Sequence, residues 1–318
     1  MSLEQYAQLS NYAIAAGTVV VALAFLAHLA EWGFALRSEP AKELVAADGS
    51  VPVEGATTGS AGVVDDEDPD RSTVFSSVGV SVAWLATLVL LVGVVTRGLA
   101  AQRVPWGNMY EFACTGTLIA LAVYLVLVRV WDIEWLGVVV TGFSLVLLGI
   151  GFSVYVPAGP LVPALHSYWL VIHVAAVMTA GALFLLSAGA SALYLVVDRA
   201  ERRGTVGKVL GRLPTSANMD RLAFRLVAVG FPLWTFGALI AGPIWAYYAW
   251  ARFWGWDPKE VWALITWIAY AVYLHARVTA GWKGRRAAVI GLIGFATFLF
   301  SFYGVNLIFG GSMHTYAK

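Results

Sequence analysis

Two indoles, two carboxylates and an ammonium fall within the seven residues Trp254-Gly255-Trp256-Asp257-Pro258-Lys259-Glu260. Widened to Trp245 through Trp267, the stretch holds six of the chain's fourteen tryptophans, more than anchoring of helix ends at a membrane interface requires. A shelf of flat side chains of this kind suits a large planar ligand. Five histidines accompany it: His28, His166, His173, His275 and His314. Two neutral imidazoles on opposite sides of such a shelf would ligate a metal held in a planar macrocycle, with indoles packed against the ring. Asp257, Pro258 and Glu260 also fit a capping box that opens a helix, with Asp257 as N-cap, Pro258 at its first position and Glu260 at its third. Neither acid is assigned as a general acid or base, and no catalytic residue is assigned.

The elements that position these groups follow from the composition. The chain has 318 residues, 60% hydrophobic and only 12% charged, more apolar surface than a water-soluble core of this length uses, so its solvent is a lipid bilayer. A net charge of +1 points to no nucleic-acid partner. Cys114 is the single cysteine, which leaves this chain without a disulfide relay or thiolate metal cluster of its own. The N-terminus has no basic leader or small-residue cleavage site, so its first apolar run reads as a retained span. With about 20 apolar residues per crossing, eight segments qualify: about 11–36, 74–96, 108–129, 135–155, 167–197, 222–247, 259–279 and 287–309. The expectation is an all-α, polytopic integral membrane bundle of about eight transmembrane helices.

Lys and Arg in the loops set orientation. An N-out, C-out topology puts fifteen of the twenty basic residues inside, with Arg97 and Arg103 against it. The Trp-rich segment 245–262 is then external. The stretch from Arg37 to Thr73 is acidic, with Asp65-Asp66-Glu67-Asp68 near its end, and rich in Gly, Pro, Ser and Thr. It reads as a disordered cytoplasmic linker, dividing residues 1–73, with the first span, from a membrane domain at 74–318. The stretch from Asp198 to Arg225 reads as a basic, topology-setting loop. In this frame His173 lies near the outer start of span five and His314 beyond the outer end of span eight. His166, seven residues before His173, would share its direction on a continuous helix. His275 lies roughly 24 Å into span seven, and His28 falls at a similar depth in span one. Intramembrane ionisable groups are functional candidates by default, and two at matched depth would make a second ligand pair if their spans were adjacent.

The Trp254–Glu260 motif with Trp245 and Trp250, the run Leu165-His166-Ser167-Tyr168-Trp169-Leu170-Val171-Ile172-His173, Asn108-Met109-Tyr110-Glu111, and Gly304-Val305-Asn306 followed by His314 together resemble the CcsA/ResC-type cytochrome c assembly proteins of system II, often called CcsB in actinobacteria. The resemblance covers roughly residues 75–316, and the tryptophan (WWD) motif is shared with the haem-handling CcmC and CcmF proteins. It implies a plasma-membrane protein that works with a ResB/Ccs1-type membrane partner. Such a pair carries haem b to the outer face and presents it for thioether attachment to the Cys-x-x-Cys-His motif of an apocytochrome c. Thiol-reducing thioredoxin-like proteins would serve it indirectly. The chain would be a component of a cytochrome c synthetase (haem lyase), inactive without its partner. By motif, His173 and His314 correspond to the outer axial ligands, and Trp250, Trp254, Trp256 and Asp257 to the platform. His275 corresponds to the ligand that receives haem within the membrane, its mate lying in the partner, with His28 a lesser candidate. Ala251 stands where the family often has glycine, and His166 where glutamine is common.

Two other classes remain open on sequence alone. A transporter of an organic solute would show repeats with interrupted helices at mid-depth, and no internal repeat is visible. A b-type electron-transfer cytochrome would pair histidines across the bundle, whereas His314 lies outside any span.

Overall fold

The computed structural model describes residues 1–37, 71–160 and 165–309. The linker expected after Arg37 lies almost wholly outside the described residues, as does His314. Among the described residues, eight helices are long and apolar enough to cross a membrane, and the chain is a multi-pass helical membrane protein.

The spans are α1 (Leu3–Arg37), α2 (Arg71–Ala101), α3 (Met109–Trp131), α4 (Gly137–Ser153, entered through a 3₁₀ turn, Glu134–Leu136) and α5 (Tyr168–Arg203). The sixth is composite: α6 (Ser216–Trp234), a π-helical segment (Thr235–Ala241) and α7 (Gly242–Trp250). α8 (Pro258–Val278) is the seventh. The eighth joins α9 (Arg285–Leu299), a second π segment (Phe300–Gly304) and the short α10 (Val305–Ile308). All eight expected spans are present, but several are longer than the apolar segments that announced them. Span one begins at Leu3, not near residue 11, and span six at Ser216, not near 222. Arg221 and Arg225 are therefore helical, and the supposed basic loop shrinks to the connection 204–215.

Helix ends follow local chemistry. The Asn108 side chain accepts the Glu111 N–H at 2.9 Å to start α3, and the Ser167 hydroxyl accepts the Trp169 N–H at 3.2 Å to start α5. Each satisfies a donor that a helix start leaves unpaired. Because Ser167 is the cap, His166 lies off the helix and does not share the face of His173.

α1 and α2 form a close hairpin through small residues. A Cβ added at Gly17 would fall 2.7 Å from the Leu90 side chain, and one at Gly93 the same distance from Ile14. Ser10 donates to the Gly93 carbonyl at 2.7 Å across the same seam. This hairpin packs on α3 and α4, while α5 runs through the middle of the bundle against α3, α6 and α9.

By alternation, the N-terminus, the 102–108 connection, the connection after Ser153 and the 251–257 loop share one end of the bundle, hereafter the site end. Arg97 and Arg103 are there, and both are spent on one acid. Arg97 Nε donates to Glu111 Oε1 at 3.0 Å, and Arg103 donates through Nη1 to Oε2 at 2.7 Å and through Nη2 to Oε1 at 3.1 Å. The Glu111 side chain has no exposure and that of Arg97 is 2% exposed. Arg97 also donates to the Val156 carbonyl, and Arg103 Nε to that of Gly159 at 3.1 Å. One carboxylate thus ties the end of α2, the start of α3 and the connection after α4. Removing one member of a buried ionic cluster leaves the others uncompensated, at about 3–5 kcal/mol. Glu111→Ala is expected to lose about that much, read as a fall in the thermal unfolding midpoint of the detergent-purified chain. Lys208→Ala, in the exposed connection, should stay within about 0.5 kcal/mol of the parent.

Candidate functional site

A chamber opens at the site end, between α3, α5, span six, α8 and the end of span eight. About 1030 Å³ of empty space lies in and before it, the open mouth included. Its wall is mostly apolar and aromatic, with Trp106, Phe112, Trp234, Trp245, Trp250 and Phe302 among the lining residues. His173, Trp254, Lys259, Glu260 and Ser301 add polar groups.

His173 is fixed by a local fault in span six. Within the π segment the ladder slips from i+4 to i+5, so the Gly237 carbonyl accepts the Gly242 N–H. Pro243, just beyond, has no N–H to give. The same Gly237 carbonyl accepts His173 Nδ1–H at 2.7 Å. A neutral imidazole that donates through Nδ1 carries its lone pair on Nε2, the arrangement typical of a metal-ligating histidine with its outer hydrogen bond in place. Glycines permit the approach: a Cβ at Gly237 would fall 2.8 Å from Val177 Cγ1, and one at Gly242 3.1 Å from His173 Nδ1. Trp245, buried, stacks on the imidazole with centroids 6.0 Å apart and planes at 16°. Trp250 meets Trp245 nearly edge-on at 4.9 Å.

The 251–257 loop is held by its backbone. α7 ends on Ala251 in the left-handed region, with φ of 56°, the conformation for which glycine is favoured at that position. Trp256 has φ of 57°. The expected capping box is formed: Asp257 Oδ1 accepts the Lys259 N–H at 3.0 Å, and Glu260 Oε2 accepts the N–H groups of Gly255 at 2.7 Å and Asp257 at 3.1 Å. The alternating geometry splits the tryptophan pair. Trp254 turns into the chamber wall, while Trp256, set edge-on to it at 5.8 Å, is 71% exposed. Asp257 is buried in the cap and does not line the chamber.

The structure therefore gathers His173, Trp250 and Trp254 around one cavity, with Trp256 and Asp257 on the loop beside it. His275 is elsewhere: it is exposed on α8, roughly 26 Å from the start of that helix. His28 is 1% exposed and closed in between α2 and α4. A Cβ at Gly137 would fall 2.3 Å from its ring and one at Gly79 2.7 Å away, so the imidazole fills the space those glycines leave and no room for a macrocycle remains. Its Nδ1 lies 3.4 Å from Glu31 Oε2. α1 packs mainly on α2 and α4, and α8 on α9 and span six, so His28 and His275 are not brought together. His166 lines a separate open groove with Arg103, Trp169 and Tyr248. Trp106, Phe112, Trp234 and Phe302 had no signal in a single sequence, since aromatic residues in apolar runs are ordinary.

A membrane bundle with a histidine-bearing aromatic chamber, beside a backbone-fixed tryptophan loop, is the class that fold and site define. The model of the cytochrome c assembly protein family matches residues 106–312. The cytochrome c biogenesis protein CcsA of Parasynechococcus marenigrum (strain WH8102) is 35% identical over 258 residues, 73% of this chain and 84% of that protein. CcsA of Guillardia theta is 34% identical over 77% of this chain and 87% of its own length. CcsA of Chlamydomonas reinhardtii is 42% identical over 50% of this chain and 43% of its own. Among solved structures, the cytochrome c heme lyase CcmF superposes with a TM-score of 0.59 at 16% identity. That match covers 92% of this chain but 46% of the CcmF chain, and it shows a shared fold. The chain belongs to the cytochrome c assembly family, as a protein of the CcsA type.

An L-residue in the left-handed region costs roughly 1–2 kcal/mol. Ala251→Gly should stabilise the chain by about 1 kcal/mol, seen as a higher thermal midpoint, with the reverse sign for Ala251→Val.

Proposed function

We propose that this protein carries haem b to the outer face of the plasma membrane and, with a ResB/Ccs1-type partner, presents it to apocytochromes c bearing Cys-x-x-Cys-His. The observation that supports this best is the His173 imidazole, held through Nδ1 by the Gly237 carbonyl at the wall of the aromatic chamber. The chamber's aromatic walls and a histidine so oriented suit an iron macrocycle. The site end is then the outer end, in the N-out, C-out topology. Arg97 and Arg103, both paired with Glu111, are the basic residues that stand against that topology.

In this reading His173 supplies one axial nitrogen and His314 the other, while Trp250 and Trp254 offer faces to the ring. Trp256 extends the shelf outward, and Asp257 holds the loop's shape through its cap. Histidine ligation and apolar packing favour keeping the iron reduced, because ligand identity and low dielectric set its potential. Each thioether then forms by adding a cysteine S–H across a vinyl C=C: a C–S bond and a C–H bond form, with no net electron transfer. The protein's contribution is positioning, and the apocytochrome's own histidine displaces an axial ligand at release. His275, exposed on the lipid-facing side of α8, suits a ligand that receives haem within the membrane from the partner's side. His28, enclosed as it is, serves packing.

The test is the visible spectrum of the chain co-purified with a ResB-type partner, before and after dithionite. A low-spin haem signal is expected in the wild type, lost in His173→Gly and His314→Gly and restored by imidazole. No haem in the wild type even with the partner would sink the reading. His275→Ala should keep the parent thermal midpoint to within about 0.5 kcal/mol while lowering haem content in the complex. A large loss of stability would instead mark His275 as structural.

A further inference from the structure

We propose that Lys259 and the indole N–H of Trp254 form a carboxylate-binding pair in the chamber, which anchors a propionate of the bound haem and so fixes the ring's rotation. The inference rests on the haem reading above and assigns an anionic subsite to it.

Three observations converge. Trp254 Nε1 is buried with no hydrogen-bond partner among the described residues, although it lies on a residue lining the chamber. A buried donor left unpaired costs about 1–3 kcal/mol, a cost removed if a ligand supplies the acceptor. Lys259 also lines the chamber, and apart from His173 it is the one basic residue among the described lining residues. Its ammonium makes no ion pair with a described carboxylate within bridging distance, and the two acids beside it have other duties. Asp257 Oδ1 accepts the backbone N–H of Lys259, and Glu260 Oε2 accepts those of Gly255 and Asp257. The ammonium is thus left without a close carboxylate acceptor among the described residues. A half-buried ammonium beside an apolar wall gains from an anion that brings its own oxygens.

Haem b supplies such an anion on one edge only. Its two propionates sit together, and its two vinyl groups lie toward the opposite edge. Holding a propionate at the start of α8 turns the vinyl edge away from Lys259, which is the orientation problem an attachment site must solve. A tetrapyrrole lacking carboxylates would lose both the contact and the orientation.

The experiment compares haem b with its dimethyl ester, which keeps the iron and both vinyls but has no carboxylate. Each is titrated into the full chain in complex with a ResB-type partner in detergent and followed by the Soret band. The wild type is expected to bind haem at least about tenfold more tightly than the ester, the scale of one charge-assisted hydrogen bond. Lys259→Met should lose about that factor for haem and little for the ester. Lys259→Arg should retain the discrimination, and Trp254→Phe should reduce it severalfold. Equal binding of both ligands by the wild type, or a Lys259→Met protein that still discriminates, overturns the inference and leaves the haem reading standing. Binding of neither ligand overturns both. The wild-type comparison needs no variant to fold.

Discussion

The hydrogen bond from His173 to the Gly237 carbonyl is the interaction on which the site depends. In hydrocarbon every backbone group must find a partner within the protein, and a regular α-helix spends its carbonyls on its own N–H groups. The Gly237 carbonyl takes a side-chain donor besides its own N–H partner, and the π segment of span six sets the register at which it does so. The glycines at 237 and 242 let span six approach α5 closely enough to use it. The Trp245 stack then fixes the ring's plane as the hydrogen bond fixes its tautomer. Remove the register slip and the imidazole keeps its position in the chain but loses its orientation.

A second constraint acts on the loops. A chamber open at one end of a bundle needs the helix connections around its mouth to hold still. Glu111, with Arg97 and Arg103, does this for the connections after α2 and α4, and the capping box with the left-handed Ala251 and Trp256 does it for the 251–257 loop. The first device is electrostatic and buried. The second is local to the backbone. Both fix shape before any ligand arrives, so less conformational freedom has to be lost on binding.

The bundle was legible in the sequence because hydrophobic length is a property of composition, insensitive to small errors of register. What composition does not encode was missed. Span one extends to Leu3 and span six to Ser216 because helices continue into the interface, where polar residues are tolerated. That Arg97 and Arg103 share one carboxylate was not legible, because a count of basic residues cannot see Glu111 between them. The seven-residue spacing of His166 and His173 suggested a shared face until the Ser167 cap separated them. Trp254 and Trp256 are equivalent as letters; the left-handed turn at Trp256 sends one inward and the other out. The sequence singled out His173 as a candidate but not its orientation, since a π slip leaves the pattern of apolar residues unchanged.

The chamber wall draws on residues from Trp106 to Phe302, nearly the whole described membrane domain, whereas the α1–α2 hairpin is nearly local. A chain emerging from the ribosome therefore inserts a stable hairpin early and can close its cavity only when the last span arrives. Until then the tryptophan loop lacks its far wall, and the order of synthesis itself keeps the site from forming on an incomplete protein.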